Sequence, residues 1–328
     1  MPKRIFSLWV SLVLVLSAFP FTLNAQTETE TPIPQFAPYI YPSFNLALLA
    51  RTINVKYFTL AFVLSGGGEC EGLWQGSAPI DQYFLVQDIG NLRALGGDVI
   101  ISFGGAGGDE LGLVCEDVES LTAAYQQVID ALDVTHLDFD IEGDEARNPV
   151  SLTRRSQAIA ALEAANPDLH VSYTIGVLPT GLTSEGVTIL QNGIDNGVRI
   201  DLVNVMTMDY GSDFAPDQMG AHAISAAEAT FDQLAELYPD KTESELWAMI
   251  GITPMIGIND VQAEVFTLED AQTVTDFAIE RGLGRLAMWS MERDTSCIGG
   301  QAVLMWNCSG ITQEDYAFAQ IFNAVTPQ

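Results

Sequence analysis

The sequence predicts a (β/α)₈ barrel, an α/β fold closed into a single catalytic-sized domain over residues 36–328. Three observations carry the prediction. Eight short apolar runs recur along the chain, longer stretches with apolar residues every three or four positions separate them, and no GxGxxG turn follows the first run. Alternating strands and helices in one body of this length fit a parallel sheet closed on itself better than a doubly wound open sheet.

The runs are Phe36–Tyr41, Tyr57–Val63, Asp98–Gly104, Leu137–Glu142, His170–Val177, Leu202–Met208, Trp247–Ile256 and Arg285–Trp289. Helical periodicity is plainest in Ser120–Leu132, Leu152–Ala165, Ala223–Leu237 and Leu268–Arg281. In such a barrel the C-terminal ends of the strands and the loops after them carry the site.

Residues 1–25 read as a signal peptide: Lys3-Arg4, an apolar run from Ile5 to Ala18, then a polar exit through Asn24-Ala25. The run is shorter than the ~20 residues that a membrane-crossing helix needs, so export with cleavage near Ala25, and no membrane span in the mature form, is the expectation. Residues 26–35, rich in Thr, Glu and Pro, read as a flexible linker.

The whole chain carries a net charge of −30, and removal of Lys3 and Arg4 leaves 11 basic against 43 acidic residues, about −32. A surface this acidic repels phosphate backbones, which argues against nucleic acid as a partner, while a neutral polysaccharide is indifferent to it. Four cysteines, Cys70, Cys115, Cys297 and Cys308, in an exported chain suggest two disulfides. Of the three possible connectivities, Cys297–Cys308 with Cys70–Cys115 is favoured, because the first pair closes a short local loop. There is no CxxC and the chain has three His, so neither a metal nor another cofactor is expected.

The most informative stretch is His136-Leu137-Asp138-Phe139-Asp140-Ile141-Glu142-Gly143. In a strand its three acids share one face, about 6–7 Å apart, with Phe139 and Ile141 on the other. A solvated acidic face is awkward for a strand flanked by helices. A calcium loop is the other ordinary reading, but the twelfth position, which needs a bidentate Glu, is Pro149. Crowded carboxylates cannot all ionise, so the outermost, Glu142, is suited to hold a proton near neutral pH and act as an acid.

Asp138-Phe139-Asp140-Ile141-Glu142 resembles the DxxDxDxE signature of glycoside hydrolase family 18, the chitinases and endo-β-N-acetylglucosaminidases. The core DxDxE is complete, whereas the initial Asp falls at Thr135 and the usual Gly after it is His136. Ser102-Phe103-Gly104-Gly105 is similar to the family's SxGG. Met206-Thr207-Met208-Asp209-Tyr210 resembles MxYD, with Met208 where Tyr is expected and Tyr210 just beyond. Trp289 and the segment Gly251–Asp260 also match in order, so the resemblance spans roughly residues 36–325.

What the resemblance implies is substrate-assisted, retaining hydrolysis of an N-acetylglucosamine polysaccharide or oligosaccharide. Glu142 would be the acid, Asp140 the partner of the acetamido group, and Asp138 would share a proton with Asp140. Tyr210 would hydrogen-bond the acetamido group, with Trp289, Met206, Asp209, Ser102, Gly104 and Gly105 against the sugar. Apart from the resemblance, Trp74 and Tyr83 are aromatic residues near the loop after the second strand and are candidates to extend a cleft. A non-catalytic glycan-binding protein on the same barrel, or an endo-β-N-acetylglucosaminidase, is the alternative, and Glu142 favours an enzyme over a lectin.

Overall fold

The computed structural model describes residues 1, 35–42 and 45–326. The signal-peptide reading and almost all of the linker reading fall outside the described residues. Eight parallel strands lie side by side: β1 (Tyr39–Ile40), β2 (Tyr57–Gly66), β3 (Asp98–Gly104), β4 (His136–Asp140), β5 (His170–Leu178), β6 (Leu202–Met206), β7 (Ile250–Thr253) and β8 (Arg285–Leu286). A parallel bridge between Phe36 and Leu286 joins the last strand to the first and closes the barrel. The predicted order holds throughout, with shifted ends.

The largest shift has a packing cause. Trp247, expected on β7, lies in the last turn of the short helix Glu243–Ala248, where its ring stacks on Phe231 at 4.4 Å and meets Phe277 edge-on. An aromatic ring wedged between helices gains more from that contact than from one further strand pair.

The strands are buried on both faces, as a sheet covered by helices requires. Outward from β4, Phe139 stacks on Phe103 at 5.4 Å and meets Tyr125 edge-on. Inward, the register aligns Ser102, Asp138 and Ser172 across β3, β4 and β5, and Gly104, Asp140 and Thr174 one level nearer the loops. The barrel interior is therefore polar where most barrels are aliphatic. Ser102, Ser172, Thr174, Asn204, Thr253 and Arg285 are all buried there.

Cap chemistry sets the loops that follow. Asn148 caps the helix Pro149–Ala165 by accepting from Val150 and Ser151 N–H, with Pro149 in the first turn, where its missing N–H costs nothing. That cap ends the loop after β4 only six residues beyond Glu142. After β2, the strand Glu69–Trp74 folds back antiparallel on it. After β7, Gly257–Ile258 and Val265–Phe266 form a second small hairpin.

Both expected disulfides are present, Cys70–Cys115 with Cα atoms 4.7 Å apart and Cys297–Cys308 with Cα atoms 5.0 Å apart. The first ties the β2 hairpin to the loop after β3, and the second staples the loop after β8. The intact mass of the purified protein should rise on reduction by two hydrogen atoms per bond. Four free thiols before reduction would contradict the pairing.

Candidate functional site

Asp138 is fully buried at the centre of the barrel. Its Oδ2 accepts from the hydroxyls of Tyr39 at 2.9 Å and Ser102 at 2.7 Å, and its Oδ1 from Ser172 at 2.7 Å and Thr174 at 2.9 Å. Four donors fill the acceptor sites of a carboxylate. Below, the Arg285 guanidinium donates to Ser172 Oγ at 3.1 Å. Burial pulls that guanidinium below its ordinary value, and the nearby Asp138 works against the pull. Hydroxyls thus engage both oxygens of Asp138, and among the described residues no hydrogen bond joins Asp138 to Asp140.

Asp140, one level up, lines a cleft of about 180 Å³ at the C-terminal mouth of the barrel. Glu142, Met206, Asp209 and Trp289 line it with Asp140, and so does Met208. Burial raises the Asp140 carboxyl well above its ordinary value, reinforced by Glu142, Asp138 and Glu145. Its Oδ1 is buried without a hydrogen-bond partner among the described residues. Glu142 lies just past the end of β4 and is half-buried; burial raises its carboxyl, with Asp209 and Asp260 adding to the rise. Both carboxyls are therefore held above the ordinary carboxylate range by burial and by neighbouring acids.

The cleft wall opposite is aromatic. The half-buried Trp289 ring stacks on Phe62 at 5.6 Å with an 18° interplanar angle and takes Tyr39 and Tyr41 edge-on at 6.0 and 5.9 Å. A flat apolar ring held on three sides presents one face to a ligand.

The glycines act on the backbone rather than on a ligand. Gly104 has φ +98°, and a Cβ there would lie 2.1 Å from Asp140 O. Gly105, at φ +88°, would drive a Cβ into the Phe62 ring, and its N–H donates to Asp140 O at 2.9 Å. Neither lines the cleft, where Ala106 does. Ser102, expected against the sugar, is fully buried level with Asp138, to which its hydroxyl donates, and does not line the cleft.

Tyr210 is the main displacement. Asp209 takes φ +52°, a conformation that Asp tolerates, and its Oδ1 accepts from Val261 N–H at 2.7 Å. The next two N–H groups, of Tyr210 and Gly211, donate to the Glu264 carboxylate at 3.1 and 2.7 Å. This turn sends the Tyr210 ring away from the cleft, against Phe214 and His222. Met208 faces the cleft in its stead. Trp74 is buried with its indole N–H on Ile80 O, so it extends no cleft, and Tyr83 is exposed beside Phe84.

Tyr39, Phe62, Thr174 and Asp260 line the cleft but were not singled out from the sequence. Only the aromatic content of the first strand pointed to Tyr39. Glu145 was also missed. It is 4% exposed, its Oε1 accepts from Glu110 N–H at 3.2 Å, and Glu110 pairs with the buried Arg155 at 2.7 Å.

Burial pushes the Glu145 carboxyl up to about 8, with Glu110 adding to the rise and Arg155 opposing it. A carboxyl raised on folding binds its proton more tightly in the native state. Its stabilising contribution is whole below its unfolded value of 4.5 and is lost as pH climbs to about 8. Asp140, Glu142 and Asp294, the last raised to about 6, act in the same direction. The free energy of unfolding should therefore fall between roughly pH 5 and pH 8, by up to ~1.4 kcal/mol per unit for each such group, and the melting temperature with it. Glu145→Gln, which keeps the shape without a titrating proton, should flatten the fall; a variant that tracks wild type across the range would refute this account.

No family model matches the chain. The catalytic domain of the hyperthermophilic chitinase from Pyrococcus furiosus is 38% identical and superposes with a TM-score of 0.81, over 90% of this chain and 95% of that one. The chain belongs to glycoside hydrolase family 18. A probable bifunctional chitinase/lysozyme of Escherichia coli (strain K12) is 38% identical over 312 residues, and endochitinase 11 of Metarhizium anisopliae is 39% identical over 275. They match 89% and 79% of this chain, which spans 34% and 52% of their own lengths. A family 18 chitinase from Pseudoalteromonas aurantia, 17% identical with a TM-score of 0.56, shares the fold. Within family 18, the place that the MxYD pattern reserves for a tyrosine is taken in this chain by Met208.

Proposed function

We propose that this family 18 chain is a secreted glycosidase that cleaves β-1,4-linked N-acetylglucosamine in chitin or chitooligosaccharides. The observation that carries the proposal is the placing of Glu142, a half-buried acid with a raised proton affinity, on the rim of a cleft between Asp140 and the Trp289 face. Similarity to three proteins named as chitinases supports the substrate class. The charged, apolar and polar order of residues 1–25 and the two disulfides support export. Among the described residues, no helix is long and apolar enough to cross a membrane.

In the proposed reaction the sugar to be cleaved lies on Trp289, with its acetamido group against Asp140. Glu142 gives its proton to the glycosidic oxygen as the acetamido oxygen attacks the anomeric carbon, and the bond to the leaving sugar breaks. Glu142, now ionised, takes a proton from the water that opens the oxazolinium ion. Asp140 stabilises the positive charge and orients the acetamido N–H. Asp138 holds the base of the site in register through its four hydroxyls. With Tyr210 turned away, orientation of the acetamido group rests on Asp140 rather than on a sixth-strand phenol.

Product analysis on chitooligosaccharides beside a high-mannose glycopeptide tests the reading. Release of short chitooligosaccharides with the glycopeptide untouched is the expected result. Cleavage of the glycopeptide alone would reassign the substrate, and binding without hydrolysis would make the chain a lectin.

A further inference from the structure

The loop after β4 turns tightly on the proposed acid. Glu145 and Ala146 N–H both bond to Glu142 O, at 3.1 and 3.3 Å, and Arg147 and Asn148 N–H to Asp144 O, at 3.2 and 3.1 Å. Arg147 of this turn is exposed, on the wall of a second cavity that Thr183 and Glu185 help to line. Glu145 is buried instead, does not line the cleft, and has no part in the reaction described above.

Glu145 is held between two walls. Toward the loop after β3, its Oε1 accepts from Glu110 N–H at 3.2 Å. Glu110 is itself fixed, because its carboxylate accepts from the Tyr125 hydroxyl, from Arg155 at 2.7 Å and from Gly112 N–H at 2.7 Å, and the three side chains are buried together. Glu110 also caps the short helix Leu111–Val114, which the disulfide from Cys115 to Cys70 ties down at its other end. Toward the barrel, Oε2 sits where β3 passes β4: a Cβ added at Gly104 would lie 3.4 Å from Glu145 Oε2 and 2.1 Å from Asp140 O. One side chain thus joins a fixed network outside the barrel to the turn that carries Glu142 and to the backbone of Asp140.

The join calls for a neutral carboxyl. Oε1 already takes an N–H, and Oε2 is buried with no hydrogen-bond partner among the described residues, so a proton belongs on Oε2. A charge there would face Glu110 on one side and Asp140 and Glu142 on the other, with Arg155 as the opposing cation. The raised value of about 8 accords with that setting. Proton transfer needs the acid within hydrogen-bond reach of its target, and a misplacement of about 1 Å can cost about 10²-fold in rate.

We infer that Glu145 is a positioning residue for the reaction: its neutral carboxyl, bonded to Glu110 N–H and seated behind Asp140, holds the turn of Glu142 where the acid meets the glycosidic oxygen. The inference rests on the glycosidase reading. Glu145 acts through Glu142 and touches no sugar.

The test is kcat and KM on chitotetraose, with melting temperature followed in parallel so that each variant is assayed folded. Glu145→Ala removes the anchor and should lower kcat by roughly tenfold, the scale of one lost hydrogen bond, with KM changed less than about twofold. Glu145→Gln keeps an acceptor for Glu110 N–H and should restore most of kcat at about pH 6. Above about pH 8, where the wild-type carboxyl ionises, the wild type should lose kcat more steeply than Glu145→Gln. A purely structural residue would lower the melting temperature of Glu145→Ala and leave the kcat of the folded enzyme unchanged; that result would overturn the inference, as would a Glu145→Gln enzyme as slow as Glu145→Ala. Should Glu145→Ala fail to fold, the pH profiles decide, and superposable profiles of wild type and Glu145→Gln would count against the inference. A wild-type chain that leaves chitotetraose intact would overturn the glycosidase reading as well.

Discussion

Glu142→Gln is expected to abolish nearly all turnover while leaving the fold and sugar binding in place. A general acid contributes about 10²–10⁴-fold, and a residue that serves as acid in one half-reaction and base in the next stands at the upper end of that range. Glutamine keeps the shape and one donor, so the Kd for a chitooligosaccharide should change little. The loss should appear in kcat. Burial and the neighbouring Asp209 and Asp260 raise the wild-type carboxyl, so the acid stays protonated to a higher pH than an ordinary glutamate. In the wild type, kcat/KM should consequently decline as pH rises through that value. Retention of more than about a tenth of wild-type kcat by Glu142→Gln, against the general-acid range, would show that another group protonates the leaving oxygen.

The second large effect is the requirement for a 2-acetamido group and for Asp140. In the proposed reaction no carboxylate serves as nucleophile, and the attacking oxygen comes from the substrate. A positioned intramolecular oxygen replaces a bimolecular step, a benefit of about 7–11 kcal/mol that a 2-hydroxyl cannot supply. Cellulose-type and deacetylated oligomers should then be inert, and fresh hydrolysate should contain the β-anomer first, which proton NMR reads directly.

Asp140→Asn should cost about 10²–10³-fold in kcat, the scale of one preorganised electrostatic partner lost from a water-poor site. The pH profile carries a further signature. Burial, Glu142, Asp138 and Glu145 all raise Asp140, yet it must be ionised when positive charge develops on the acetamido group. Activity should therefore fall as pH drops through the raised Asp140 value, and this acidic limb should be missing in Asp140→Asn. Early appearance of the α-anomer would sink the substrate-assisted route even with barrel and acid in place.

What the sequence determined by itself were features governed by short-range periodicity. Strand runs alternate with helical ones, so eight strands could be counted and placed in order. The two-residue period of β4 put Asp138 and Asp140 on the inner face and Phe139 on the outer, and their position near a strand's C-terminal end marked the mouth of the barrel. Cysteine spacing favoured, among three connectivities, the pairing that the structure shows, because one pair closes a short local loop.

Tertiary structure decided whatever depends on partners distant in the chain. Whether Asp138 can share a proton turns on hydroxyls from β1, β3 and β5, up to 99 residues away. The direction of Tyr210 turns on Glu264, 54 residues on, whose carboxylate gathers two backbone N–H groups and rotates the ring out of the cleft. A strand period cannot forecast that, since the strand stops at Met206 and the left-handed turn at Asp209 resets the alternation. Glu145 and Arg147 lie three and five residues past Glu142 in a segment with no strand or helix period. Only the folded chain shows that one is sealed beside Glu110 and Arg155 while the other stands exposed on the wall of a second cavity. Burial and charge pairing are sums over the whole neighbourhood, and that neighbourhood exists only once the barrel has closed.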